Sequence, residues 1–315
     1  MNVSIIANQM MVLFLMMVAG YGAYRRGMVS REGTKSLSSL IVNILNPCLI
    51  LSGVMNKEVT YGPRLILENL LLVFLMFALL IALSLLFVRL ARPGKDRENT
   101  YRLMVIFPNL GFMGIPLITS VYGQASVIFV AFYIVGYNLL IYSYGILLST
   151  GKGGRTERFP LRRLINPGMG ASVLAILIFA LRLRLPEAVG SFFGYMGNAA
   201  VALSMMTVGM TVAQADLKSI FMDRCQLGFT AFSLLLVPLV CIPFLHLLPI
   251  DPMSYGIFIL LIAMPVGSTV TLIEMEYGGG DGRVSAGGDG RVSAGGIALT
   301  SLVSLVTIPL ISFIA

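Results

Sequence analysis

Two short stretches hold the residue types best suited to handling a solute. One reads Pro108-Asn109-Leu110-Gly111-Phe112-Met113-Gly114-Ile115-Pro116, the other Met264-Pro265-Val266-Gly267-Ser268-Thr269. Both lie inside long apolar runs. Proline removes a helical hydrogen bond and clashes with the turn before it, and glycine adds backbone freedom. Each run is therefore expected to break near its middle. A break gives the second half-helix a free N-terminus with unpaired N–H groups and roughly +0.5 elementary charge. Such an end suits an anion, a carboxylate above all. Asn109 at the first break, and Ser268 and Thr269 at the second, supply neutral donors beside Pro108, Gly111, Gly114, Pro116, Pro265 and Gly267. Asn138 is another mid-run amide that could face the same cavity, against the rival reading of a helix–helix hydrogen bond. Asn43, with Asn46 and Pro47, marks a third interruption, which either lines the cavity or only kinks for packing.

The elements that must position these residues follow from composition. Of 315 residues, 57% are hydrophobic and 11% charged, whereas a soluble domain carries about a quarter charged residues. Most of this surface faces lipid. Apolar runs fall at 4–24, 36–55, 65–88, 103–122, 126–148, 169–185, 191–213, 225–248, 254–276 and 296–315. A spanning helix needs ~20 mainly apolar residues, and backbone in lipid must pair internally, so these runs read as ten transmembrane helices. The chain then divides into a first five-helix unit (1–148), a linker (149–168) and a second five-helix unit (169–315).

The basic residues orient the spans. Eighteen of the 22 lysines and arginines fall in the loops after spans one, three, five, seven and nine. That places those loops in the cytoplasm and both termini on the non-cytoplasmic side. Five spans per unit make the two units antiparallel in the bilayer, so if they are repeats they are inverted repeats. Spans four and nine hold corresponding places, carry Pro and Gly near mid-span, and close with Tyr122-Gly123 and Tyr277-Gly278. Their second halves would bring two positive dipole ends to the midplane from opposite sides.

Other chemistry is thinly represented. No metal-spaced His/Asp/Glu set, GxSxG or phosphate loop occurs, so an enzyme is not expected, nor a cofactor or metal. The net charge of +8 serves topology rather than nucleic acid. Cys48, Cys225 and Cys241 lie in apolar runs and read as buried thiols. Glu274 and Glu276 lie near the cytoplasmic end of span nine. Surface exposure is the plain reading, and the deeper Glu274 is the candidate for coupling to Na+ or H+. The single histidine, His246, stands near an outer helix end. Residues 280–287 and 288–295 both read GDGRVSAG, expected to be a flexible duplication without function.

Gly20-Tyr21 with Arg25-Arg26-Gly27, Asn46-Pro47-Cys48-Leu49-Ile50, the nine residues from Pro108 to Pro116, and Met264-Pro265-Val266 with Tyr277-Gly278 resemble the auxin efflux carrier family, in order along almost the whole chain. The resemblance implies two inverted five-helix repeats, as in bile-acid sodium symporters. Spans one, two, six and seven would form a scaffold, and spans three to five and eight to ten a mobile unit with spans four and nine crossing at the site. It also implies elevator-like motion, a homodimer and Asn109 as a substrate-binding residue. Bacterial members are linked to malonate or malate, plant members to indole acetic acid. The long cytoplasmic loop of the plant carriers is absent here, which favours a bacterial type in the inner cell membrane. The chain is thus expected to carry a small organic anion. A sodium-coupled symporter of a larger amphipathic anion is the alternative, and a channel or non-transporting receptor a more distant one.

Overall fold

The structure, a computed structural model, describes residues 3–55, 61–150, 167–183, 185–215, 217–277 and 291–315. These residues are helical throughout apart from turns and one isolated β-bridge. The helices are α1 (Val3–Arg25), α2 (Arg31–Ser52), α3 (Pro63–Ala91), α4 (Lys95–Ile106), α5 (Leu110–Tyr122), α6 (Gln124–Ser149), α7 (Pro167–Ala180), α8 (Glu187–Gln214), α9 (Leu217–Met222), α10 (Arg224–His246), α11 (Pro252–Ile262), α12 (Thr269–Tyr277) and α13 (Arg291–Ile314). Seven of them (α1, α2, α3, α6, α8, α10 and α13) are long and apolar enough to cross a membrane, and α5, α7 and α11 are shorter apolar helices. Phe74 and Phe313 stand 74% and 76% exposed, a surface suited to lipid and not to water. The chain is a multi-pass membrane protein.

Local chemistry sets the ends and bends. Ser30 opens α2 by accepting from the Gly33 amide at 3.0 Å, and Asp251 opens α11 by accepting from Met253 at 2.8 Å. Such caps satisfy donors that a helix start leaves unpaired. Arg182, at φ 51°, ends the turn after α7, and Pro186 follows before α8. The helix at 169–185 is therefore shorter than its apolar run. In α2 and α10 a π-turn precedes proline. The Asn46 amide reaches back to the Ile41 carbonyl ahead of Pro47, and the Val237 amide reaches back to Phe232 ahead of Pro238. The wider turn makes room for a ring that would collide with an ordinary one.

Packing follows pairs that recur five spans apart. Helix α1 lies along α8 as α7 lies along α2; α6 packs on α7 as α13 packs on α1; α3 meets α6 as α10 meets α13. The α1–α8 crossing is backbone on backbone. A β-carbon on Gly20 would stand 2.0 Å from the Met206 carbonyl oxygen, and one on Gly209 would stand 1.9 Å from that of Met17. Of the small residues in span seven, Gly197 packs on Leu49 and Ser52, whereas Gly194 has nothing among the described residues within 4 Å of a built β-carbon. Helix α11 is enclosed on all sides, with every residue from Ile257 to Ala263 no more than 2% exposed.

The second GDGRVSAG copy is not all loop. Arg291 to Gly295 begin α13, with Val292, Ser293 and Gly295 buried, and the Thr271 hydroxyl donates to Ser293 Oγ at 2.9 Å. Tertiary packing overrides the weak helix propensity of this Gly- and Ser-containing stretch. The first copy, at 280–287, lies outside the described residues, as do Gly278 and most of the 149–168 linker.

Candidate functional site

Two of the expected spans are each split into two helices. The stretch from Lys95 to Tyr122 divides into α4 and α5 at Phe107-Pro108-Asn109, and that from Pro252 to Tyr277 into α11 and α12 between Ala263 and Ser268. The two breaks meet. Pro108 and Val266 form an antiparallel β-bridge, in which the Asn109 amide donates to the Pro265 carbonyl at 2.7 Å and the Gly267 amide to the Phe107 carbonyl at 2.9 Å. Each break thus pairs backbone groups that helix interruption exposes.

The side chains around the bridge complete it. Asn109 Oδ1 accepts from the Phe112 amide at 3.0 Å and so caps the π-turn that begins α5. Gly267 makes the close approach possible: a β-carbon there would stand 2.9 Å from the Tyr137 hydroxyl and 3.1 Å from the Phe107 carbonyl oxygen. The Tyr137 ring packs edge-on against Phe107, with centroids 5.3 Å apart.

A cavity of about 510 Å³ opens against this crossing. Pro108, Asn109, Gly111 and Phe112 form one wall, Gly267, Ser268 and Thr269 a second, and Tyr137, Asn138 and Tyr142 of α6 a third. Facing them from α2 are Val42, Asn46 and Ile50. Among the described residues lining it, none carries a formal charge. Polarity comes from amides, hydroxyls and backbone. Asn138 also donates to the Ile134 carbonyl at 2.9 Å. Asn46 Oδ1 is buried without a hydrogen-bond partner among the described residues, and its Nδ2 lies 3.4 Å from where a β-carbon on Gly111 would stand. An amide at a cavity wall offers both donor and acceptor to an occupant.

The family described as "Membrane transport protein" matches residues 5–312. The chain belongs to this membrane transport protein family, the auxin efflux carrier family that its motifs resemble. A protein of Methanothermobacter thermautotrophicus (strain Delta H) described as an uncharacterized transporter is 25% identical over 267 residues, which cover 84% of this chain and 86% of that relative.

Not every residue singled out in this membrane transport protein reaches the cavity. Seven line it: Pro108, Asn109, Gly111, Asn138, Gly267, Ser268 and Thr269. Pro265 contributes its carbonyl to the bridge. Gly114 instead lets α5 pack on α11, since a β-carbon there would stand 3.0 Å from Leu261 Cδ2. Pro116 is buried in the turn that continues α5. Asn43 is exposed, and its amide donates to the Ser39 carbonyl at 2.9 Å. Glu274 is 3% exposed and sits one residue beyond Ile273, which lines the cavity. His246 is far off in sequence from both breaks, with its Nε2 3.2 Å from the Tyr255 hydroxyl. Cys48 and Cys241 are buried free thiols, and Cys225 is half-buried and free.

Tyr137 and Tyr142 were not singled out from sequence. Tyr142 follows Asn138 by four residues, a spacing that places both on one helix face. That is the one signal that could have found it.

Proposed function

We propose that this chain is a secondary carrier of a small organic anion, a carboxylate, bound where the two broken helices cross. The observation that carries the reading is the antiparallel bridge at Pro108 and Val266. Antiparallel crossing sends α5 and α12 away from one point in opposite directions. The helix N-termini then converge there, and their dipoles attract negative charge. Neutral amide and hydroxyl groups around them recognise an anion without holding a full countercharge in lipid, which would cost at least about 2.5 kcal/mol per cation.

The wider mechanism rests on the same reading. Contacts that recur five spans apart support two inverted five-helix repeats. In this reading spans one, two, six and seven are the scaffold and the remainder moves as an elevator within a homodimer. With the odd-numbered loops in the cytoplasm and both termini outside the cell membrane, Tyr142, Gly168 and Ile273 lie on the cytoplasmic side of the crossing, and the cavity they help line is the inward-facing site. On the opposite side Gly53 meets Val127 without room for a β-carbon and Gln124 Nε2 reaches Ser52 Oγ at 3.5 Å, contacts that in this reading close the outer face. Glu274, buried in the half-helix that begins at Thr269, is the candidate for coupling to a cation.

Purified protein in liposomes, offered labelled malonate, malate and indole acetic acid with and without sodium or proton gradients, tests the reading. Saturable uptake of a carboxylate supports it; no uptake of any carboxylate, or uptake of cations or neutral solutes alone, contradicts it.

A further inference from the structure

The two sides of the bridge are not chemically equal. Pro108 has no N–H, so its place at the bridge leaves no donor to satisfy. Its counterpart Val266 has one, is 1% exposed, and points it out of the bridge toward α13. There the Val266 amide donates to Thr300 Oγ1 at 3.1 Å. The Thr300 hydroxyl in turn donates to the Gly296 carbonyl at 2.6 Å, and the residue is fully buried. Gly296 is itself a point of close approach, since a β-carbon there would stand 2.4 Å from Met104 Sδ of α4.

We infer that Thr300 is a positioning residue of the substrate site: its hydroxyl fixes the break between α11 and α12 by accepting from the Val266 amide, the outward-pointing donor that its counterpart Pro108 lacks. This inference rests on the carrier reading for its functional consequence, though not for its structural one. A hydroxyl that accepts from one group and donates to another is polarised by both, which strengthens the pair. Because Thr300 sits one turn from Gly296, the same residue ties the second break to the helix leading into the first. Thr300 is not among the residues lining the cavity, so it acts through Gly267, Ser268 and Thr269 rather than on the solute. Valine matches threonine in shape but lacks the oxygen, whereas serine keeps the oxygen and loses the methyl.

The test compares full-length wild type, Thr300→Val and Thr300→Ser by hydrogen-exchange mass spectrometry in detergent and by uptake of labelled malonate, malate and indole acetic acid in liposomes. Thr300→Val is expected to speed exchange across 263–268 by about tenfold, as for a buried amide that loses its acceptor, with exchange elsewhere unchanged. It is also expected to raise KM several-fold more than it lowers the maximal rate. Thr300→Ser should restore both. If the valine variant does not fold, Thr300→Cys, whose sulfur is a weak acceptor, should move exchange in the same direction. Wild-type exchange in the valine or cysteine variant, or a serine variant that behaves like valine, overturns the inference. If wild type carries none of the three probes, the carrier reading fails for these carboxylates while the exchange result still decides the role of Thr300.

Discussion

The Asn109 amide and the Pro265 carbonyl meet at 2.7 Å, and through this bond each interrupted helix completes the other. The same asparagine turns its side-chain oxygen to the Phe112 amide. Its backbone therefore serves the crossing while its side chain serves the start of α5, and the remaining Nδ2 group is the one able to serve a solute.

Replacing Asn109 separates these roles. Asn109→Ala removes cap and donor together and is expected to cut uptake by tenfold or more. Asn109→Asp keeps the cap, since aspartate caps as well as asparagine, yet puts a negative charge at the anion site. Uptake should be lost in Asn109→Asp while the amount of protein in the membrane stays at wild-type level. Transport by Asn109→Asp at the normal rate, read against quantified protein, would remove Asn109 from anion binding.

Gly267 is expected to tolerate no side chain. Gly267→Ala puts a methyl 2.9 Å from the Tyr137 hydroxyl and 3.1 Å from the Phe107 carbonyl, an overpacking that costs on the order of 1–3 kcal/mol. A lowered Tm in detergent with strongly reduced uptake should result. Adding Tyr137→Phe removes the nearest atom and should recover part of the Tm. No recovery would mean that the carbonyl contact dominates.

The α1–α8 crossing gives a sharper contrast. Gly209→Ala and Gly20→Ala drive a methyl into carbonyl oxygens at 1.9 and 2.0 Å, and backbone cannot step aside as a side chain can. Neither variant should give a monodisperse peak on size-exclusion chromatography. Gly194→Ala, on the same α8 but with nothing within 4 Å, should match or exceed wild type in Tm, because alanine is the better helix former by roughly 1 kcal/mol.

Removing either GDGRVSAG copy yields one and the same sequence, so the start of α13 keeps its Arg-Val-Ser-Ala-Gly register against Thr271. Uptake by the shortened chain is expected to stay within about twofold of wild type, since loop length weighs only logarithmically on stability. A large loss would assign the duplication a function.

Glu274 is expected to answer to a proton gradient. Glu274→Gln keeps the size of the buried side chain and removes its titration. If Glu274 carries the coupling proton, an inward proton gradient stimulates wild-type uptake and leaves the variant unmoved. Equal stimulation of both proteins would take Glu274 out of coupling.

How much of this was legible in the sequence depended on how local the signal was. The breaks at Pro108 and Pro265 were readable because proline and glycine act on their own backbone. The resemblance between the breaks was readable because both stretches carry proline and glycine near the middle of an apolar run. What a helix face meets was less so. Gly209 and Gly20 look like many other glycines in membrane helices, and only the α1–α8 contact shows that they cannot be replaced. Tyr137 reads as one more apolar-run aromatic until α6 is docked on both breaks. Asn43 and Asn46 lie three residues apart, yet the π-turn before Pro47 rotates the chain between them, so Asn46 faces the cavity and Asn43 does not. Arg291 to Gly295 read as loop by composition and fold as helix because α4, α10 and α12 supply a place to pack.

The most direct test is counterflow. Liposomes holding the purified protein are preloaded with an unlabelled carboxylate that wild type accepts, and entry of the labelled compound is followed. A carrier whose single site alternates between the two faces should show entry accelerated several-fold by the internal solute, with the acceleration gone in Asn109→Asp. Entry that ignores the internal solute, or acceleration that survives the aspartate, would contradict an anion site at the crossing of the two broken helices.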